Sequence, residues 1–530
     1  MNAAAGNHVN DDSSLSGVAF GKRMRKAVAV GTAFLAFVAA CSRGDAAHTT
    51  LSDSGKATPP PAAASTPDFA TPAKPPDAAS AFDFATVSKL INDAIAADKL
   101  PGAVVVVGHG GEIAFHQAYG SRKLAGEPGL DGSPAPAEPM TEDTIFDLAS
   151  LTKSLATATA VMQLYEQGKV AFDDPVQEYL ADFNAANDPL RAKVTVRMLL
   201  THTSGETGDV DLRDPWGLDG ADKAEGIHRA LTTPLESSPG GVFRYSDINF
   251  ILLGALIEKV TGEALDVYAQ RHVFEPLGMA DTHYLPAEKA CGPRAIIGAA
   301  IAWSPAPQGS APDACPAGTW STALLPRIAP TSRDEEGRGD PGKNPDLDRL
   351  LRGTVQDTTA RRMGGVAGHA GVFSTAHDVS IFAQALLDRL AGRPSKFPLA
   401  RTTCELMTTP QQPGHNAQQL QAANDAARKA VARRPNTADP LLAPRYPAIA
   451  GQNLRGFGWD IDTGQSVPRG LIFPIGSFGH TGFTGTSVWM DPASDTYVVL
   501  LSNSVHTRGS PPMSTLRGEV ATATGQALGL

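Results

Sequence analysis

The chain has 530 residues, 42% hydrophobic and 19% charged, enough apolar material for a large core and too much for a chain disordered throughout. A formal net charge of -10 and a pI near 5.7 argue against nucleic acid or an anionic membrane surface as a partner. The 4 cysteines form no CxxC pair and no His/Cys cluster with zinc spacing, so neither a metal nor another cofactor is expected.

Residues 1–41 read as a secretory signal. Basic residues (Lys22, Arg23, Arg25, Lys26) precede an apolar run, Ala27 to Ala40, that is shorter than the roughly 20 residues of a membrane-spanning helix. Met24, directly before the second basic pair, offers an alternative start. The run ends in Val38-Ala39-Ala40-Cys41, which resembles a bacterial lipobox. The expectation is a lipid on Cys41 and a protein held at the periplasmic face of the envelope, on the outer membrane, touching lipid through that anchor only. An ordinary signal peptide whose cysteine falls there by chance is the competing reading. Residues 42–80, rich in Pro, Ala, Ser and Thr, cannot bury a core and read as a tether.

Residues 81–530 read as one domain. Phe84, Val87, Ile91 and Ile95 recur at helical spacing, and Pro101-Gly102 stops that helix. Ala103–Val107 and Ile113–Phe115 read as strands around Gly108-His109-Gly110-Gly111. That glycine cluster lacks the last glycine of GxGxxG and no helix follows, so a hairpin is expected rather than a phosphate loop. The far end mirrors this: Ser487–Met490 and Tyr497–Leu501 flank Asp491-Pro492-Ala493-Ser494-Asp495, and Ser514–Leu528 reads as a closing helix. Two strand-rich ends sharing an antiparallel sheet, with a mainly helical lobe inserted between them, make an α+β protein. Segments of about 286–350 and 409–450 read as surface insertions.

Three short elements carry chemistry. In Ser150-Leu151-Thr152-Lys153 the following stripe Leu155, Ala158, Met162 and Tyr165 is helical and stops at Gly168, which predicts Ser150 in a helix's first turn with Lys153 on the same face. A lysine so placed can help take the serine's proton, and the helix N-terminus favours an incipient alkoxide. The bland alternative is an N-terminal serine and a solvated lysine. Tyr245-Ser246-Asp247 precedes a helix running from Ile248 to Gly262, so Asp247 is well placed as its N-cap, while a phenol beside a cationic lysine suits a general base. Gly479-His480-Thr481-Gly482 opens the last strand pair, where small residues let a substrate lie along a strand edge.

In that order the three elements resemble the serine β-lactamase, DD-peptidase and esterase superfamily, especially its class C-like branch. Further matches are Leu100-Pro101-Gly102-Ala103-Val104, Leu199-Leu200-Thr201-His202-Thr203-Ser204-Gly205, Phe274-Glu275-Pro276-Leu277-Gly278-Met279 and Gly365-Val366-Ala367-Gly368-His369-Ala370-Gly371-Val372-Phe373-Ser374-Thr375. The resemblance implies a β-lactamase/transpeptidase-like fold with Ser150 as nucleophile, Lys153 as its proton partner and Tyr245 as general base. It also implies an oxyanion hole of the Ser150 and Phe483 amides, with Asp247, His480, Thr481 and Gly482 meeting the substrate. That substrate would be an ester, an amide, a β-lactam or a D-amino-acid peptide, of small-molecule or peptidoglycan origin. Asp247 stands where the family usually has Asn; a carboxylate donates no hydrogen bond but can pair with Lys153 and raise its pKa. His480 stands where β-lactamases have Lys, as in the family's peptidases and esterases. His369 either faces the cleft or bonds a neighbouring turn. An oxidising compartment favours a Cys291–Cys315 disulfide, with pairings to Cys404 left open. A non-catalytic protein that binds cell-wall peptide is the alternative from another class. The absence of GxSxG and HExxH argues against an α/β-hydrolase and a zinc protease.

Overall fold

Short apolar runs at both ends of the chain meet in one sheet. The computed structural model describes residues 82–530 apart from 298–299, 303–314, 337–339, 345–346, 413–421, 423–424, 426–453, 508 and 510–511. The signal segment with Cys41, the 42–80 tether and most of the 409–450 insertion lie outside the described residues.

Helix α1 (Ala85–Ala96) buries Val87, Ile91 and Ala94. Strands β1 (Gly102–His109) and β2 (Glu112–Lys123) form a hairpin, so the glycine cluster is a turn. β3 (Glu138–Pro139) lies at the sheet edge, and β4 (Ile145–Asp147) leads towards Ser150. A π-helical stretch, Lys153–Ala158, runs into α2 (Thr159–Glu166), and α3 spans Asp247–Thr261. Next come β5 (His283–Tyr284), β6 (Val372–Thr375) and α4 (Ala376–Ala391). The end of the chain supplies β7 (Leu454–Arg455), β8 (Asp460–Asp462), β9 (Phe478–Thr481), β10 (Ser487–Asp491), β11 (Thr496–Ser502) and α5 (Ser514–Leu528).

The main sheet has the order β7-β8-β9-β10-β11-β1-β2-β3, antiparallel throughout. Its centre joins the two ends of the domain, with Ala103 opposite Ser502 and His109 opposite Thr496. Ala103, Val105 and Val107 pack with α1 and α5, whereas Val104 and Val106 enter the larger core shared with the helical lobe. A strand covered on both faces carries an unbroken apolar run, which is why Ala103–Val107 shows no alternation.

A smaller antiparallel sheet, β4-β6-β5, joins the lobes and sets Phe373 opposite Asp147. It brings the end of β4, where Ser150 follows, against the glycine-rich loop before β6. In the 286–350 segment a disulfide joins Cys291 to Cys315, and Cys404 is a buried thiol. No helix among the described residues is long and apolar enough to cross a membrane.

Candidate active site

The turn that presents Ser150 is held from three directions. Ala149 adopts φ +46°, a conformation side-chain-bearing residues rarely take, and its N–H donates to Asp147 Oδ1 at 2.9 Å. The other Asp147 oxygen accepts from the Gln356 N–H at 2.7 Å, and burial pushes this carboxyl up to about 6. Thr484 and Thr486 donate to the carbonyls of Asp147 (2.7 Å) and Leu148 (3.0 Å). Arg517 of α5 secures their loop through the Gly482 (2.7 Å) and Thr486 (2.9 Å) carbonyls. At Gly482 a Cβ would fall 2.1 Å from Thr486 Oγ1 and 2.4 Å from the Leu148 carbonyl, so this close approach admits glycine alone. Phe483 beside it is 72% exposed, and neither its amide nor that of Ser150 donates to a protein acceptor among the described residues. Ser150 sits in the turn just before the helical residues Leu151 and Thr152, one step earlier than the first helical turn its pattern predicts.

Lys153 is fully buried; its ammonium donates two hydrogen bonds and pairs with one carboxylate. Nζ lies 2.9 Å from Ser150 Oγ, 3.0 Å from the His369 carbonyl and 2.6 Å from Asp247 Oδ1. Burial alone would lower its pKa; the Asp247 carboxylate and the Tyr245 phenol reverse that and hold it above the ordinary lysine value, so Lys153 is a cation. Of the two sequence readings of Asp247, a helix cap and a partner of Lys153, the geometry agrees with the second. Ser246 is the N-cap and Asp247 the first helical residue, which turns its carboxylate to Lys153 instead of to the helix's own amides.

The His369 carbonyl reaches Lys153 because the glycine before it touches α3. A Cβ on Gly368 would meet the Phe250 carbonyl at 1.9 Å, and the Gly368 carbonyl accepts from Thr157 at 2.7 Å. The His369 ring turns away to Asp357, Nε2 to Oδ1 at 2.8 Å, so its side chain serves the neighbouring turn. Burial opposes the charge on His369, but Asp357 raises its pKa, and the histidine in turn holds the half-buried Asp357 well below the usual carboxylate range. Asp209, which accepts from Thr359, adds a third acid to this side; burial, with Asp357 and Asp247 nearby, pushes it up to about 7.

Lys153 and a second buried cation, Arg455, both lie near the Tyr245 ring. The ring stacks on His202 at 4.4 Å and stands 6.1 Å from His480, with Lys153 Nζ 5.0 Å and Arg455 Cζ 5.9 Å from its centroid. His202 Nδ1 accepts from the Ser246 N–H at 3.1 Å and faces Asn249 Nδ2 at 3.2 Å, which fixes the ring against the phenol. His480 is only 2% exposed, with Nδ1 2.8 Å from the Thr481 carbonyl. Burial, then Arg455 and Lys153, keeps both histidines well below the usual imidazole pKa and therefore neutral. Arg455 is wholly buried; among the described residues its three side-chain nitrogens make no hydrogen bond, and Nη1 is 3.7 Å from Asp460.

Ser150, Lys153, Tyr245 and Asp247 are thus brought into one contact group, with His480 behind the phenol and Thr481, Gly482 and Phe483 beside the serine turn. His202 stands inside one of the matched motifs, but Asp209, Asp357 and Arg455 belong to no motif and come together only through tertiary contacts. No group of His, Cys, Asp or Glu able to hold a metal occurs among the described residues.

A serine whose hydroxyl meets a buried lysine ammonium, beside a tyrosine and two free amides, can form and release an acyl ester. Fold and site together define a serine hydrolase of the penicillin-recognising class. The chain belongs to the β-lactamase family, whose profile, described as Beta-lactamase, matches residues 87–522. It is 27% identical over 423 residues to an Escherichia coli O157:H7 protein named "Putative D-alanyl-D-alanine carboxypeptidase", covering 78% of this chain and 80% of that one. It is 30% identical over 431 residues to the N-acetylmuramyl-L-alanine amidase of Bacillus subtilis (strain 168), covering 79% and 80%. Among solved structures, a class C β-lactamase from Rhodobacter sphaeroides shares the fold at TM-score 0.52 and 18% identity, covering 83% of this chain and 99% of that one. Simvastatin synthase from Aspergillus terreus shares it at TM-score 0.54 and 22% identity, covering 83% and 97%.

Proposed function

We propose that this protein hydrolyses an amide bond in peptidoglycan-derived peptides, through an ester on Ser150, at the periplasmic face of the envelope where a lipid on Cys41 anchors it. The observation that carries the chemistry is the contact chain Ser150 Oγ–Lys153 Nζ–Asp247 Oδ1, at 2.9 and 2.6 Å. The substrate class is supported by the two relatives, whose names both refer to cell-wall amides.

A lysine kept cationic by Asp247 cannot accept the serine's proton, so Tyr245 takes that part. Ser150 Oγ attacks the amide carbon while its proton passes to the Tyr245 phenolate, and the Ser150 and Phe483 amides receive the oxyanion. The C–N bond breaks as Tyr245 returns the proton to the leaving nitrogen. Water then attacks the ester, giving its proton to Tyr245, and the carboxylic acid leaves as Ser150 recovers a hydrogen. Lys153 keeps its proton throughout and aligns Oγ.

The test is intact-protein and peptide mass spectrometry after incubation with muramyl peptides, D-Ala-D-Ala peptides and activated esters. An adduct on Ser150, absent from a folded Ser150→Ala variant whose turnover falls by several powers of ten, is expected. Undiminished turnover in that variant would overturn the mechanism.

A further inference from the structure

Around Ser150 the polar atoms are shared out so that one carboxylate oxygen is left for a substrate. Lys153 is fully buried and presents no N–H to the solvent side. Asp247, its partner, keeps 22% of its side chain exposed. Oδ1 is closed to solvent and pairs with Lys153 Nζ at 2.6 Å. Oδ2 is neither sealed off nor hydrogen-bonded among the described residues, so it is the oxygen open to a ligand. The Asp247 N–H donates to the Gly208 carbonyl at 2.7 Å, and Gly208 borders open space, where an added Cβ would meet nothing within 4 Å.

Only the Lys153 ammonium separates this carboxylate from Ser150 Oγ, with contacts of 2.6 and 2.9 Å. That separation matches the span from an acyl carbon on Oγ to the substituent of its α-carbon and one hydrogen bond beyond. A carboxylate oxygen accepts hydrogen bonds and donates none. An N–H at the α-position of the acyl group therefore gains a partner in Oδ2. An ether or ester oxygen there sets lone pairs against lone pairs and leaves both acceptors unsatisfied.

We infer that Asp247 is a specificity-determining residue whose free oxygen receives the N–H on the α-carbon of the acyl group. The enzyme then takes amides of α-acylamino acids and discriminates against acyl groups with an α-oxygen, such as the lactyl ether of a muramyl amide. The inference rests on the reading of the protein as an amide hydrolase acting through Ser150, and narrows it to bonds between amino acids.

The experiment uses the full chain and two compounds that differ at one atom, N-acetyl-D-alanyl-D-alanine and O-acetyl-D-lactyl-D-alanine. Release of D-alanine is followed in wild type and in Asp247→Asn, with thermal midpoints to check that both are folded. Wild type should prefer the N–H compound about tenfold in kcat/KM, the worth of one hydrogen bond to a charged acceptor. In Asp247→Asn the side-chain oxygen stays on Lys153 and the NH2 takes the open position, so the ratio should fall to one or below. A residue that only positions Lys153 would change both rates together and leave the ratio alone. A wild-type ratio near one, or a ratio that the substitution does not move, overturns the inference. If neither compound releases D-alanine, the hydrolase reading fails, and calorimetry with both compounds on Ser150→Ala, with and without Asp247→Asn, decides the role of Asp247. Tighter binding of the N–H compound that Asp247→Asn abolishes upholds it, whereas equal or undetected binding overturns it.

Discussion

Two buried cations lie near the Tyr245 ring, and they are treated in opposite ways. Lys153 donates two hydrogen bonds and pairs with Asp247 at 2.6 Å, and the acids Asp209 and Asp357 lie on the same side. Among the described residues Arg455 makes no hydrogen bond, and its one ion-pair partner is Asp460, at 3.7 Å. An ammonium held by two hydrogen bonds and a carboxylate is fixed in place and acts as a positioning charge. An unsaturated guanidinium keeps its field for whatever lies next to it, here the Tyr245 ring and two neutral histidines. The contrast assigns geometry to one side and electrostatic bias to the other.

Removing Arg455 should have the larger effect. At an effective dielectric of about 20, a charge about 6 Å away is worth roughly 2 to 3 kcal/mol to negative charge that develops at the site. Without it that charge is less stabilised in the transition state, so Arg455→Gln should lower kcat/KM about ten- to a hundredfold. Arg455→Lys should restore most of the loss, and circular dichroism would confirm that each variant is folded. An unchanged kcat/KM would leave Arg455 with a packing role only.

Asp247→Asn tests the opposite sign. Loss of the carboxylate removes the group that holds the Lys153 pKa up, so the pH dependence of kcat/KM should change, with less than a tenfold change near neutrality. The new amide can also donate to a substrate carbonyl, so the amide-to-ester preference should rise. Superimposable profiles and ratios would reduce Asp247 to a structural residue.

The smallest expected change is in stability. Asp209 has a folded pKa of about 7 against an unfolded value of about 3.9, so between these the folded state binds more protons and stability declines as pH rises. Asp209→Asn should remove that decline, gaining about 1 to 3 kcal/mol over wild type at pH 8 and nothing near pH 3. Urea unfolding across this range would show it, and parallel curves for the two proteins would refute it.

Local patterns made much of this readable from sequence. The SxxK spacing placed Lys153 beside Ser150, and the paired hairpins at the two ends of the domain announced the sheet. The helix at Asp247 was also legible, but a capping residue and a first-turn residue look alike until the position of Lys153 is known. Arg455 left no trace, because its meaning depends on burial without a partner, and neither burial nor absence of a partner is a property of neighbours in sequence. Asp209 and Asp357 were hidden for a related reason: an isolated acid in a polar stretch reads as solvated until folding gathers it with others.

The bonds from Thr484 and Thr486 to the serine turn join residues 337 and 338 apart in sequence, and Arg517 holds the same loop from the last helix. During synthesis, therefore, the serine is made long before the groups that hold its turn. A nascent or prematurely ended chain carries Ser150 on an unsupported turn, with one of its two oxyanion amides not yet made. Acylating capacity arrives only with the finished polypeptide, so fragments left by early termination or by cleavage within the final helix are expected to be inert instead of weakly and promiscuously active.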